Sequence, residues 1–118
     1  MEKICEFTIN NKVYSIYDVY RITGKKSYVG RSDYEDKTIY VECNSYEQMM
    51  YTLIHELMHV WLYENGHTNQ DGTEVFSYED LCEYTALAYL SIERIVNLYL
   101  NSKKHIEKNE QMCYIVER

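Results

Sequence analysis

The chain has 118 residues, a formal net charge of −7, and a composition that is 46% hydrophobic and 26% charged. This length predicts a single domain, residues 1–118, with enough residues for a hydrophobic core. The acidic balance is unfavourable for direct binding to nucleic acid or to an anionic membrane. No apolar run approaches the length of a membrane span, about eighteen residues. The N-terminal residues lack the basic and apolar regions of a secretory signal, so we expect a cytoplasmic protein.

Four cysteines are scattered along the chain, at positions 5, 43, 82 and 113, and none forms a C-x-x-C pair. An even number of cysteines permits two disulfides. Because thiols are kept reduced in the cytoplasm, we predict four free thiols.

The N-terminal half has the periodicity of β-strands. Residues 4–9 alternate apolar and polar side chains, and residues 13–19 are rich in Val, Tyr and Ile. The Asn10-Asn11 pair between them tolerates the positive φ of a tight turn, which predicts a β-hairpin. A short strand is predicted at residues 28–30. Residues 38–43 form the clearest strand, because β-branched and aromatic residues dominate them.

A long helix is predicted to follow. Ser45, with Gln48 three residues later, has the pattern of a capping box, and Gly66 is a suitable terminator. The apolar residues between them fall within one arc of the helical wheel: Met50, Leu53, Ile54, Leu57 and Trp61. His55 and His59 lie on the other side. One face is therefore predicted to pack into the core and the other to present two imidazoles.

A second long helix is predicted from Ser77, with Asp80 in the capping-box position, to about residue 101. Most of its faces are apolar, which predicts burial along most of its length. Residues 67–75 are polar and predict a loop, and residues 112–116 suit a short final strand or helix. The order of elements predicts an α+β domain, with a small, mostly antiparallel sheet from the N-terminal half packed on two long helices.

The reactive side chains are concentrated in His55-Glu56-Leu57-Met58-His59, an H-E-x-x-H sequence. Helix positions four apart lie one above the other, so the two imidazoles can bind a single zinc ion. Glu56 is turned partly toward the same side, where it can take a proton from a water activated by the metal. The pattern predicts a zinc hydrolase. The alternative is a pair of histidines on a surface helix that binds no metal.

A catalytic zinc ion usually has three protein ligands and one open position. Glu83 is the first candidate for the third ligand. It lies on the same side of the second helix as Ala86, Leu87 and Leu90, a stripe that we predict to face the core. An ionised carboxylate in a core needs a metal or another partner. The alternative role of Glu83 is an ion pair with Lys or Arg at a helix end.

Three other residues in or near the second helix are alternatives for the third ligand. Glu79 lies one turn before Glu83, and His67 lies eight residues after His59 in the predicted loop. Cys82 points away from the Glu83 stripe and suits a small core position better.

Four segments occur in a characteristic order. A strand containing I-Y-V precedes T-L-I-H-E-L-M-H-V-W-L, a glycine follows, and C-E-Y-T-A-L-A-Y comes further along the chain. Together they resemble the ImmA/IrrE family of metallopeptidases over about residues 28–95. The resemblance implies a zincin-like core and a cytosolic protease, often from a mobile element, that cuts a repressor or other regulatory protein.

By position, the resemblance implies that His55 and His59 are zinc ligands, Glu56 the catalytic base and Glu83 the third ligand of a gluzincin-like site. The chain has no recognisable helix-turn-helix segment, which some relatives carry, so any link to DNA would act through another protein. Tyrosines also flank the glutamate where small or apolar residues are usual, which leaves the substrate open. A second, weaker resemblance is to SprT-like metalloproteases, through the Gly66-His67 pair after H-E-x-x-H.

The predicted reaction is hydrolysis of a peptide bond in a protein or peptide substrate, with Zn²⁺ as cofactor. If residues 38–43 lie at a sheet edge, they can hold an extended substrate by main-chain pairing. Tyr78 and Tyr84 are candidates for a phenol that stabilises the oxyanion. Residues 67–76 either close over the cleft or only connect the helices. The rival function is a zinc-binding interaction or inhibitory protein without turnover, and Glu56 favours the enzyme because a structural site needs no general base.

Overall fold

The computed structural model describes residues 1–20, 29–68 and 76–107. The elements, in chain order, are β1 (Glu2–Ile9), β2 (Lys12–Val19), β3 (Gly30–Asp33), β4 (Thr38–Glu42), α1 (Tyr46–Glu64) and α2 (Tyr78–Glu107). The predicted α+β class and the order of strands and helices are confirmed. The strand expected at residues 28–30 begins at Gly30, and the second helix continues past residue 101. The prediction for residues 112–116 lies outside the described residues.

The strands form one sheet in the order β1-β2-β4-β3. The predicted hairpin of β1 and β2 is confirmed, and Asn10 and Asn11 adopt φ angles of 48° and 66° at its turn. β3 is antiparallel to β4, whereas β2 and β4 are parallel, so the sheet is mixed. Parallel strands such as β2 and β4 are joined by a long crossover connection instead of a tight turn. Turn residues in the sequence therefore do not predict this pairing.

The place of β4 in the sheet differs from the one required for the predicted substrate role. β4 lies between β2 and β3, so its main chain pairs on both sides and it cannot receive a substrate strand. Among the described strands, the sheet edge next to α1 is β3 instead. A strongly β-forming sequence suits an interior strand, because side chains there are covered on more sides.

The core lies between one face of the sheet and the two helices. Its buried residues include Phe7, Tyr14, Ile16, Ile39, Val41, Met49, Leu53, Leu57, Val60, Ile95 and Tyr99. The backbone N–H of Gln48 donates to the Ser45 hydroxyl, so the predicted N-cap of α1 is confirmed. The capping box is only half formed, because the Gln48 side chain donates to Thr52 and the Ser45 N–H to Asn44. Ile54, predicted to face the core, is exposed, and the buried arc of α1 is centred on Leu53 and Leu57.

Helix α2 covers the core with one narrow stripe, whose buried members are Ala88, Ile95, Tyr99 and Lys103. The predicted capping box is confirmed by reciprocal hydrogen bonds between Ser77 and Asp80. The prediction of burial along most of the helix is wrong, since Leu87 and Leu90 are 57% and 71% exposed. A helix buries only the side that touches its neighbours, and apolar residues on several sides do not reveal which side that is.

A buried ionic cluster joins β2 to the C-terminal half of α2. Lys103 forms an ion pair with Asp18, and the Tyr99 hydroxyl donates a 2.7 Å hydrogen bond to Oδ1 of the same carboxyl. Burial raises the pKa of Asp18, while the hydrogen bonds from Lys103 and Tyr99 act in the opposite direction. The cluster fixes α2 lengthwise against the sheet.

The cysteines only partly follow the prediction of four free thiols. Cys5 and Cys82 are free, but Cys43 is disulfide-bonded, so the prediction is wrong for Cys43. Cys113 lies outside the described residues. A disulfide requires the Cα atoms of its two cysteines to lie within about 7 Å. The sequence does not show which of four widely spaced cysteines come that close. In the described part of the chain, neither helix combines the length and apolar character needed to cross a membrane.

Candidate metal centre

His55 and His59 converge on one point above the outer face of α1. Their Nε2 atoms are 3.2 Å apart, and both rings are exposed. Two nitrogens at zinc–nitrogen distances of 2.0–2.1 Å and a tetrahedral angle would lie about 3.3 Å apart. The pair therefore has the spacing of two ligands of one tetrahedral zinc ion. The same contact also suits an N–H···N hydrogen bond between two neutral rings.

Glu56 lies beside the two imidazoles but is buried, with 8% of its surface exposed. Its Oε1 accepts a 2.6 Å hydrogen bond from the Ser32 hydroxyl on β3. The helical position of Glu56, between the imidazole side and the core side of α1, directs it toward this strand. The sequence did not predict a contact of Ser32 with Glu56, because no local pattern links residues that are twenty-four positions apart.

A cleft of about 360 Å³ lies where β3 meets α1. Its lining residues are Val29, Gly30, Tyr51, Thr52, His55, Glu56 and His59. Gly30 permits this close contact, because a Cβ atom there would lie 2.3 Å from Cγ2 of Thr52. The two imidazoles and the carboxylate thus share one cleft, bordered by the edge strand.

Glu83 is not on a core-facing stripe. Glu83 and its neighbours Ala86, Leu87 and Leu90 are all exposed, on the side of α2 away from buried Ala88. The argument that a buried carboxylate there needs a metal is therefore wrong, since solvent can stabilise its charge. Among the described residues, no group of three or more His, Cys, Asp or Glu side chains is placed to hold a metal ion. Glu83 as third ligand stays a prediction, as does the exposed Glu79.

His67 packs within a cluster of aromatic rings. Its ring stacks on Tyr84, with centroids 4.2 Å apart, and on Trp61 at 5.6 Å. Phe76 also belongs to this cluster, because its ring packs edge-on against Tyr84. Gly66, the residue before His67, has a φ of 77°, the left-handed conformation typical of a helix terminus. Helix termination and stacking therefore account for the Gly66-His67 pair without a metal.

Among the described residues, Tyr51 is the tyrosine that borders the cleft. It is one turn before His55, and their rings stack with centroids 6.0 Å apart. The two tyrosines proposed from the sequence lie elsewhere: Tyr78 is 91% exposed, and Tyr84 belongs to the aromatic cluster around His67. The i, i+4 spacing of Tyr51 and His55 on α1 was the available signal for its position.

Comparison of the chain with protein-family models, curated proteins and solved structures gives no match. What remains as a basis for function is the chemistry of the cleft. Its components are two convergent imidazoles, a buried carboxylate with a hydroxyl donor, and an edge strand.

Proposed function

We propose that the protein is a zinc-dependent peptidase, related to the ImmA/IrrE type, that hydrolyses a peptide bond of a regulatory protein. The α+β fold would then be a zincin-like core. The observation that carries the proposal is the 3.2 Å separation of the His55 and His59 Nε2 atoms beside buried Glu56. The donor set fits zinc, which accepts imidazole nitrogens and, when bound, would activate a water molecule and polarise the scissile carbonyl.

Four residues have definite roles in this proposal. His55 and His59 would hold the metal. Glu56 accepts a proton from the attacking water and transfers it to the leaving nitrogen. Glu83 keeps the ligand role implied by the resemblance, which requires its exposed carboxylate to reach the imidazoles.

The substrate is proposed to bind as an extended strand along β3. β3 is the outermost strand of the described sheet, and its first residue, Gly30, lines the cleft together with the preceding Val29. Main-chain pairing to an exposed edge is a common way to bind an extended peptide with little dependence on its side chains. A cytoplasmic location is part of the proposal, and an origin in a mobile element is implied by the family resemblance alone.

The experiment is zinc analysis combined with three substitutions. Wild-type protein, dialysed after growth with zinc, is expected to retain about one zinc ion per chain. His55→Ala should lose the metal, whereas His67→Ala, the matched control, should keep it. Glu56→Gln should keep zinc and lose hydrolysis of a fluorogenic peptide library, because the amide cannot accept the proton. A wild-type chain without zinc, or a Glu56→Gln variant that cleaves at the wild-type rate, contradicts the proposal.

The second candidate is a zinc-binding interaction or inhibitory protein without turnover. The exposed leucines of α2, Leu87 and Leu90, favour it, because exposed apolar surface is typical of binding sites. The two functions separate at Glu56, since an interaction protein keeps its full biological activity in Glu56→Gln. A SprT-like metalloprotease remains the alternative family, with the same test for zinc and base.

A further inference from the structure

We propose that Ser32 is a positioning residue that fixes Glu56 for proton transfer, so that the edge strand as well as α1 sets the geometry of the base. The inference rests on the proposed peptidase function. It concerns a residue outside the H-E-x-x-H sequence, on the strand that we propose to bind the substrate.

The first observation is the double contact between Ser32 and Glu56. The Ser32 hydroxyl oxygen lies 2.6 Å from Oε1 of Glu56 and 3.4 Å from its main-chain carbonyl oxygen. A hydroxyl has one proton to donate, and the much shorter contact assigns that proton to the carboxylate. Hydrogen bonds to a carboxylate are stronger than those between neutral groups, so this contact can select one side-chain rotamer.

The second observation is the position of the other carboxylate oxygen. A Cβ atom placed on Gly30 would lie 3.2 Å from Oε2 of Glu56, so this oxygen sits against the open side of Gly30. Gly30 and Glu56 both line the cleft. Since Ser32 already donates to Oε1, we assign Oε2 as the oxygen that accepts the proton of the attacking water.

The third observation is that Gly30 and Ser32 share one side of β3. Side chains alternate along a strand, so both face α1, whereas Arg31 between them faces the other side and lies over the ring of Tyr40. The same four-residue strand would therefore position both the base, through Ser32, and a peptide paired to the outer edge of β3. The base would then keep its position relative to the scissile bond of the bound peptide.

The structural test is a set of zinc-loaded crystal structures of the wild type, Ser32→Ala, Ser32→Thr and Ser15→Ala. Ser15 is a matched control, because it is a half-buried serine on β2 of the same sheet, separated from β3 by β4. Glu56 is expected to keep its rotamer in the wild type, Ser32→Thr and Ser15→Ala, and to leave it in Ser32→Ala. Zinc content should be equal in all four. An unchanged Glu56 in Ser32→Ala, or a wild-type Glu56 that does not contact Ser32, overturns the inference.

The kinetic test uses a peptide that the wild type cleaves. Ser32→Ala should lower kcat by about 10- to 100-fold with little change in KM, because a misplaced base slows proton transfer without weakening binding. Ser32→Thr should restore most of kcat, and Ser32→Ala should add no further loss to Glu56→Gln. An active Glu56→Gln enzyme would refute the peptidase itself. An inactive Glu56→Gln with unchanged kcat in Ser32→Ala would refute only the role of Ser32.

Discussion

The hydroxyl of Tyr14 donates a 2.5 Å hydrogen bond to Oε2 of Glu64, and this contact ties β2 to the last turn of α1. The side-chain amide of Asn10, at the hairpin turn, donates a 2.6 Å hydrogen bond to the main-chain oxygen of Glu64. Lys37 lies 3.8 Å from the Glu64 carboxylate. The helix that carries both imidazoles is therefore held at its C-terminal end by the N-terminal hairpin.

Tyr14→Phe is expected to lower the free energy of unfolding by about 1–3 kcal/mol, because it removes a hydrogen bond to a charged group and leaves that group partly unsatisfied. Burial, the larger cause, and the hydrogen bond with Glu64 both raise the pKa of Tyr14. The phenol therefore stays protonated and is the donor at neutral pH. Urea unfolding measures the effect. Tyr20→Phe is the control, since Tyr20 is exposed. Equal midpoints for Tyr14→Phe and the wild type would show that the contact adds nothing.

The stability contribution of Asp18 is expected to fall as the pH rises. Burial raises the pKa of Asp18 above 3.8, so the folded protein holds this proton more tightly than the unfolded chain does. A group of this kind stabilises the fold most below its unfolded pKa, and the contribution declines as the pH rises through the folded pKa. The unfolding free energy of the wild type minus that of Asp18→Asn, measured from about pH 3 upward, should therefore decrease.

Asp18→Asn is the comparison that isolates this carboxyl from the many other acidic groups. A free-energy difference that increases with pH would show that the ion pair with Lys103 outweighs burial and lowers the pKa of Asp18. A difference independent of pH would show that Asp18 titrates alike in the folded and unfolded chains.

Gly30→Ala is expected to push β3 away from α1. The new methyl group would lie 2.3 Å from Cγ2 of Thr52, closer than packed side chains tolerate. We expect a loss of about 1–3 kcal/mol in the free energy of unfolding, the usual range for overpacking. Adding Thr52→Ser should recover part of it, because serine lacks Cγ2 but keeps the hydroxyl that accepts from Gln48. Full stability of Gly30→Ala alone would contradict the close contact.

Glu83→Ala is expected to weaken zinc binding by about 100-fold or more, if this carboxylate completes the site, because a catalytic zinc needs three protein ligands. Glu79→Ala tests the neighbouring candidate. Glu93→Ala is the control, since Glu93 is an exposed glutamate further along α2. Zinc affinity measured by competition with a chelator separates the three. Unchanged affinity in Glu83→Ala would rule out Glu83 as a ligand.

Local features of the sequence predicted the elements that depend on neighbouring residues. The start of α1 at the Ser45 cap, the Asn10-Asn11 turn and the adjacent positions of His55 and His59 on α1 each depend on contacts within a few residues. Hydrogen bonds and side-chain spacing at this range follow from helix and turn geometry alone. These features are therefore visible in the printed sequence.

Tertiary contacts decided which surfaces are covered and which residues meet. The interior position of β4, the exposed side of α2 that carries Glu83, and the contact of Ser32 with Glu56 all depend on elements distant in sequence. Apolar residues occur on more than one side of α2, so periodicity cannot tell which side touches the sheet. By itself, the sequence thus determined the helix and the histidine pair. Only the packing of β3 on α1 decided what lies around the carboxylate, because burial is a property of the assembled layers.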